Sequence, residues 1–355
     1  MSENRMLATQ RQDVATILER DLPWNQLSGQ RVLVTGAAGF LGGYLTRTLL
    51  ALHPLGKVEQ PVHVVAMVRS LDKASLQLAD LLDDRHLIVQ QCDLGKFSVP
   101  DISGCNYVIH AASQASPRFY GTDPVGTLLP NAIGTAALLQ ALQSSPHPLG
   151  FLFISSSEIY GSQSNNVRLS ETTYGALDPT IVRTCYAEGK RLGEALCAAW
   201  FHQHQLPTYI VRPFHTYGPG LQENDGRVFA DFAFNVIRGE HIVMTSDGSA
   251  RRAFCYVSDA IAGFFTVLLT GKAATAYNVG NPAVDLALVE LADLLVNLYP
   301  EKKLHIDRCE IPLGSPYVPS SLSSVLPDTS RLTALGWRAN IDPATGFRRM
   351  IEAYC

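Results

Sequence analysis

The run Arg31-Val-Leu-Val-Thr-Gly-Ala-Ala-Gly-Phe-Leu-Gly-Gly-Tyr-Leu45 constrains this chain more than any other. Val32, Leu33 and Val34 form a short β-branched and aliphatic stretch that reads as a buried strand, and residues 41–50 have helical character. Between them, Gly36, Gly39 and Gly42 stand at the spacing Gly-x-x-Gly-x-x-Gly. Glycines so placed permit a tight turn and close backbone approach, while the N–H groups and dipole of the following helix receive a pyrophosphate. The stretch predicts a dinucleotide site with Gly36, Gly39, Phe40, Leu41 and Gly42 around the phosphates. The spacing is not the Gly-x-Gly-x-x-Gly of the common dehydrogenases, so a structural glycine turn is the competing reading. The residues downstream decide between them.

Further apolar runs at 61–68, 87–94, 107–113 and 151–157 read as strands, with a helical run from Asn131 through residues 132–143. The alternation predicts an α/β fold, a Rossmann-type doubly wound parallel sheet covered on both faces. An NAD site usually places an acid after the second strand to hold the ribose hydroxyls. Here Ala66 and Met67 are followed by Arg69, which either takes a 2′-phosphate or covers the adenine face, so NADP stays open beside NAD. Asp93, followed by Leu94, is placed to accept a hydrogen bond from the adenine amine, and Ala111 and Ala112 are small enough for a cofactor to pass.

Residues 1–29 form a polar extension with a short helix expected at 13–20 and Trp24 and Leu27 as pins; no chemistry is assigned to it. Residues 30–213 make up most of the dinucleotide-binding part and 214–355 most of a small C-terminal substrate lobe, with the chain crossing between them. The loop-rich stretches 239–258 and 312–327 suit a lobe that closes over a substrate.

With 46% hydrophobic and 17% charged residues, the 355-residue chain can bury a sizeable core. A net charge of −4 argues against nucleic acid or an acidic membrane surface as partner. No apolar run reaches transmembrane length and the N-terminus carries no signal-peptide pattern. The seven cysteines (92, 105, 185, 197, 255, 309 and 355) include no C-x-x-C pair, which suits reduced thiols in a cytoplasmic protein and no metal site.

Tyr186-Ala-Glu-Gly-Lys190 sets a tyrosine and a lysine four apart, hence on one helix face. The ammonium is expected to lower the phenol pKa from about 10, so that the phenolate takes the proton of a sugar hydroxyl while hydride leaves the same carbon. Ser156, at the end of the fifth strand, completes a hydroxyl–tyrosine–lysine trio.

With these elements in hand, the chain resembles the extended short-chain dehydrogenase/reductase family of nucleotide-sugar enzymes over roughly residues 29–353. The likeness rests on Thr35-Gly36-x-x-Gly39-x-x-Gly42, Asp93-Leu94, His110-Ala-Ala112, Asn131-x-x-Gly134-Thr135, Tyr186-x-x-x-Lys190 and Arg212-Pro213-x-x-x-Tyr217-Gly218-Pro219. Tyr277-Asn-Val-Gly-Asn281 and residues 328–337 continue it. Within the family it is most similar to the UDP-glucuronate decarboxylases, through Ser156-Ser-Glu-Ile-Tyr-Gly161, Arg183-Thr-Cys-Tyr-Ala-Glu-Gly-Lys-Arg191, Asp225-Gly-Arg-Val228 and Arg252-Ala-Phe-Cys-Tyr-Val-Ser-Asp259. That resemblance implies NAD, a nucleotide-sugar substrate, a homodimer formed through helices 131–143 and 186–202, and a place in polysaccharide biosynthesis.

The chemistry explains the residue types. Oxidising carbon 4 of a glucuronosyl group places a ketone β to the carboxylate, carbon dioxide leaves, and the enolate takes a proton before hydride returns. By resemblance, Glu158 is the acid–base group near carbon 5, Ser157 positions the sugar and Arg252 holds the carboxylate or diphosphate side. Arg227, His215 and Tyr217 line the substrate. The 4,6-dehydratases carry Asp-Glu where this chain has Ser157-Glu158, and the 4-epimerases usually lack the glutamate, so these are the alternatives. Two departures stand out: His215 replaces the decarboxylases' usual asparagine, and Gly220 an arginine common after Tyr-Gly-Pro.

Overall fold

The computed structural model describes residues 2–96, 101–163, 168–309 and 324–355. The chain opens with α1 (Ser2–Leu18), which extends well before the helix expected from residue 13, and enters β1 (Arg31–Thr35). Val32, Leu33 and Val34 are fully buried. A strand covered on both faces needs no polar alternation, which is why it reads as a continuous apolar run. Then follow α2 (Phe40–Ala51), β2 (His63–Val68), α3 (Leu71–Gln77), β3 (Leu87–Gln91) and β4 (Tyr107–His110). Next come α4 (Arg118–Thr122), α5 (Pro124–Leu129), α6 (Thr135–Gln143), β5 (Gly150–Ile154), α7 (Cys185–His204) and β6 (Thr208–Pro213).

The helix expected to begin at Asn131 instead begins at Pro124, and α5 and α6 are joined through a π-helical turn, Pro130–Gly134. Pro130 lacks an N–H, and its ring crowds the preceding turn, so the helix widens there. Asn131 sits inside this turn and donates to Ser113 Oγ at 3.0 Å and the Thr127 carbonyl at 2.8 Å. Residues 124–143 thus make one apolar helix whose length would span a membrane, a length hidden in the sequence by the two prolines. It packs on α7: a Cβ at Gly189 would stand 3.2 Å from Leu128 and 3.3 Å from Asn131.

Beyond β6 the elements are short. β7 (Thr216–Tyr217), α8 (Val228–Arg238), β8 (Ile242–Met244), β9 (Arg251–Arg252) and β10 (Cys255–Tyr256) lead to α9 (Val257–Thr270), and β11 (Thr275–Val279) then returns to the main sheet. β12 (Leu286–Ala287), α10 (Leu288–Asn297), β13 (Ile306–Arg308), β14 (Ser324–Val325), α11 (Ser330–Thr333) and α12 (Pro343–Tyr354) complete the chain. Most of the loop-rich stretch 312–327 lies outside the described residues. The main sheet has seven parallel strands in the order β11-β6-β5-β4-β1-β2-β3. Its order reverses between β1 and β4, and a crevice beyond the carboxyl ends of strands at such a switch point is where this architecture takes a ligand.

One hydrophobic core runs from α1 through the sheet into the C-terminal lobe, joining Ile17, Trp24, Leu45, Phe229, Phe264 and Phe347. The N-terminal extension belongs to it. Asp13 is fully buried and accepts from the hydroxyls of Tyr44 on α2 at 2.8 Å and Tyr256 on β10 at 2.9 Å, tying the two lobes together. Arg20 closes the same seam on Asp259 at 2.6 Å.

Candidate active site

At the switch point, the glycine turn makes the cradle that its spacing predicts. Gly36 has φ +66°, and a Cβ there would fall 2.8 Å from the Ala112 Cα. A Cβ at Gly42 would overlap the Gly36 carbonyl. Gly39 caps α2, with Phe40 and Leu41 in its first turn. Thr35 Oγ1 accepts from the N–H groups of Ala111 at 3.1 Å and Ala112 at 3.0 Å, and lies 2.8 Å from His110 Nδ1. With both acceptor sites filled, the threonine donates to Nδ1, so the His110 proton is on Nε2, 3.1 Å from the Pro130 carbonyl. Burial, reinforced by Lys190, pushes the His110 pKa down to about 3, so the ring is a neutral strut. Leu94 packs on Gly134, Asp93 caps its own turn by accepting from Gly95 N–H at 3.0 Å, and Arg69 is exposed after β2. A turn that only glycine can make, opening onto a helix N-terminus, fits a dinucleotide's pyrophosphate.

Beside it, β5 delivers Ser156, Ser157 and Glu158. Ser156 caps a 3-10 turn, Ser157–Tyr160, by accepting from Glu158 N–H at 3.2 Å, and its hydroxyl favours the Tyr186 phenolate. Ser157, the first residue of that turn, is buried. α7 presents Tyr186 and Lys190 one turn apart. The expected lowering of the tyrosine pKa is not found: Tyr186 is pushed up to about 12, first by burial and then by Glu158, against opposing effects of Ser156, Arg227 and Arg183. Lys190 donates to the Ile154 carbonyl at 2.6 Å, with its nitrogen 5.8 Å from the Tyr186 ring centre, and burial pushes its own pKa down to about 7. Desolvation disfavours both charged forms and outweighs their attraction.

Two residues that sequence reasoning left without a role complete the cluster. Arg183 holds Glu158 through two hydrogen bonds, 2.8 and 3.4 Å. Its guanidinium lies 4.6 Å above the Tyr120 ring, and that ring stacks on Tyr186 with centroids 5.0 Å apart and planes 13° apart. Arg183 stands in a segment shared with the decarboxylases, which was the available signal; nothing local marks Tyr120.

Arg227 and Arg252 supply cationic charge from the C-terminal lobe. Arg227 is gripped by Asp225 through both carboxylate oxygens and lies 5.0 Å above the Phe229 ring. Arg252, on β9, donates to the Arg251 carbonyl at 2.8 Å. His215 lies near both: burial first, then Arg252 and Arg227, pushes its pKa well below the usual histidine value. Its buried Nδ1 has no hydrogen-bond partner among the described residues. Tyr217 departs from its expected place. It is fully buried, stacks on Phe347 at 4.0 Å and turns its hydroxyl toward Gly346, so it supports the lobe from within its core.

Several shared motifs turn out to be scaffold. Arg212 grips both oxygens of Glu194 at 2.9 and 2.7 Å, Glu194 accepts from Ser155, and Arg212 also donates to Tyr160, which donates to Asn278. This network clamps β5, β6, α7 and β11 beneath the catalytic turn. Glu188 and Arg191 pair at 3.7 Å on α7. Among the described residues no group of three His, Cys, Asp or Glu side chains could hold a metal.

Comparison with known proteins agrees with this geometry. Residues 32–280 match the NAD dependent epimerase/dehydratase family. The chain is 30% identical over 328 residues to UDP-glucuronic acid decarboxylase 6 of Arabidopsis thaliana, covering 92% of this chain and 89% of the relative. It is 31% identical over 326 residues to decarboxylase 3 of the same plant, covering 91% and 89%. A Streptomyces venezuelae dTDP-glucose 4,6-dehydratase solved with NAD superposes with a TM-score of 0.77 at 22% identity, covering 92% of this chain and 97% of that one. A Bacillus cereus UDP-glucuronic acid 4-epimerase solved with UDP-glucuronic acid and NAD gives 0.75 at 22%, covering 92% and 99%. Matched across the glycine cradle, the Ser156–Tyr186–Lys190 trio and the returning strand β11, the chain belongs to the NAD dependent epimerase/dehydratase family.

Proposed function

We propose that this NAD-dependent enzyme decarboxylates a nucleotide-glucuronate through a 4-keto intermediate to give a nucleotide-pentose. The observation that carries this reading is Glu158 placed beside the catalytic tyrosine, with Ser157 where a dehydratase needs an acid. Relatives about 30% identical over nine-tenths of the chain are UDP-glucuronic acid decarboxylases, which favours a uridine nucleotide.

NAD supplies a hydride acceptor that can return what it takes. The protein's own residues do the rest. Tyr186 takes the proton of the carbon 4 hydroxyl, with Ser156 beside it at the end of β5. Once carbon 4 is a ketone, the carboxylate can leave as carbon dioxide. Arg252 and Arg227 meet the anionic charge of the carboxylate or diphosphate, where fixed cations in a partly dry site are most effective. Glu158 manages the proton at carbon 5, and Ser157 orients the sugar. Because NAD would give back the hydride it accepts, the net reaction would consume none.

The runner-up is a 4-epimerase, which needs only the trio. Mixing the enzyme and NAD with UDP-glucuronic acid separates the two: carbon dioxide and a UDP-pentose are expected. Conversion to UDP-galacturonic acid without gas would overturn the decarboxylase reading.

We also infer a cytoplasmic homodimer that serves polysaccharide biosynthesis. Val125 on α5 and Leu192 on α7 are exposed apolar side chains on helices that pack together, which supports the pairing. Light scattering should give twice the 38.7 kDa chain mass, and Leu192→Asp should shift it to the monomer.

A further inference from the structure

Tyr186 must lose a proton in a pocket that already holds the carboxylate of Glu158. Two anions so close repel, and the second to form is disfavoured. Charged and titratable groups face Tyr186 from several elements. Glu158 comes from the 3-10 turn, Arg183 from the turn before α7, Lys190 and Cys185 from α7, Tyr120 from α4, and Arg227, neutralised by Asp225, from the loop before α8. Lys190 is turned to the Ile154 carbonyl, and burial pushes its pKa down to about 7. Arg227 is already paired.

We propose that Arg183 is the counter-charge that lets Glu158 remain ionised while Tyr186 gives up its proton, with Tyr120 as the platform that holds the guanidinium in place. The geometry supports each part. Arg183 reaches both Glu158 oxygens, at 2.8 and 3.4 Å. The face of Tyr120 lies 4.6 Å below the guanidinium and attracts it, and the same ring stacks on Tyr186. Glu158 raises the Tyr186 pKa and Arg183 lowers it, so the pair acts on the tyrosine with opposite signs. Arg183 is therefore a positioning residue, acting on the proton transfer through charge. The inference rests on Tyr186 as the base in the proposed reaction, and is independent of whether carbon dioxide later leaves.

The test follows bound NADH in a single turnover with UDP-glucose, whose carbon 4 hydroxyl suffices for hydride transfer. Arg183→Gln should move the midpoint of the pH dependence upward by about one unit, the smaller end of what a nearby charge does. Glu158→Gln added to Arg183→Gln should bring it back, because the repelling anion is gone. Arg183→Lys should recover part of the shift, and Tyr120→Phe should match wild type while Tyr120→Leu follows Arg183→Gln. Fluorotyrosine at position 186, read by fluorine NMR in the free protein, should show the same order of titration midpoints. Arg183→Gln profiles superimposable on wild type, or a shift that Glu158→Gln leaves in place, would overturn the inference. A wild type that forms NADH with neither UDP-glucose nor UDP-glucuronic acid would instead count against the proposed reaction.

Discussion

Lys190 donates to the main-chain carbonyl of Ile154 at 2.6 Å, so in the free protein its ammonium is held by the end of β5 and not by Tyr186. Full burial depresses its pKa from 10.5 to about 7. A depressed lysine contributes stability that is complete above its unfolded pKa and lost as pH falls toward the folded one. Lys190→Met lacks that dependence. Compared with wild type it should be most stable below about pH 7 and lose ground between there and pH 10.5, as read by denaturant titrations at both ends. Equal differences at all pH values would show that the lysine titrates normally.

The trio and the carboxylate should fail differently. Tyr186→Phe removes the base for the first step, so oxidation of carbon 4 and every later step should fall together, by ~10²–10⁴-fold. Glu158→Gln should keep hydride transfer and build up bound NADH with a 4-keto sugar. Absorbance after rapid mixing with UDP-glucuronic acid distinguishes them. A Glu158→Gln variant that turns over like wild type would make the glutamate a bystander.

Gly42→Ala should empty the cofactor site. The new methyl meets the Gly36 carbonyl and the Ala37 Cα, both main chain of the tight turn, so relief requires the turn to open. Overpacking of this kind costs about 1–3 kcal/mol. Calorimetry should show loss of most NAD affinity, whereas Gly104→Ala, with open space around its Cβ but φ +73°, should leave it unchanged despite some strain.

Asp13 makes the lobe seam pH-sensitive. Burial raises its pKa from 3.8 to about 6, outweighing the opposing hydrogen bonds from Tyr44 and Tyr256. A raised carboxyl contributes stability that is complete below 3.8 and lost as pH rises through about 6. Against Asp13→Asn, the wild-type melting temperature should therefore fall progressively across that window. A constant difference between the two proteins would show that Asp13 stays ionised throughout.

Arg69 stands exposed where an acid would hold the ribose hydroxyls. If it takes a 2′-phosphate, Arg69→Ala should weaken NADP more than NAD by about 1–3 kcal/mol. NAD should nevertheless be the preferred cofactor of the wild type, because the reaction recycles its hydride. Titration of both dinucleotides against both proteins decides this, and a strong wild-type preference for NADP would contradict it.

Much of this protein is legible in one dimension because the relevant physics is local. A glycine at positive φ, an apolar strand entering a turn, and a tyrosine and lysine on one helix face each depend on spacing alone. The cradle at Gly36 and Gly42 and the trio of Ser156, Tyr186 and Lys190 could therefore be named before any fold was seen. What distance in sequence conceals is which groups share a buried pocket. Arg183 meets Glu158 from 25 positions away and Tyr120 lies 66 before Tyr186, so their convergence exists only once α4 and α7 pack against the end of β5. The same holds for electrostatics. Spacing places an ammonium near Tyr186 and suggests a lowered pKa, whereas the fold removes water from both groups and turns the ammonium to a carbonyl. Tyr217 makes the point from the other side, since its motif is shared with nucleotide-sugar enzymes yet packing against Phe347 puts it in the core. Local geometry follows from residue order; desolvation, charge pairing and the side on which a ring is buried follow only from tertiary packing.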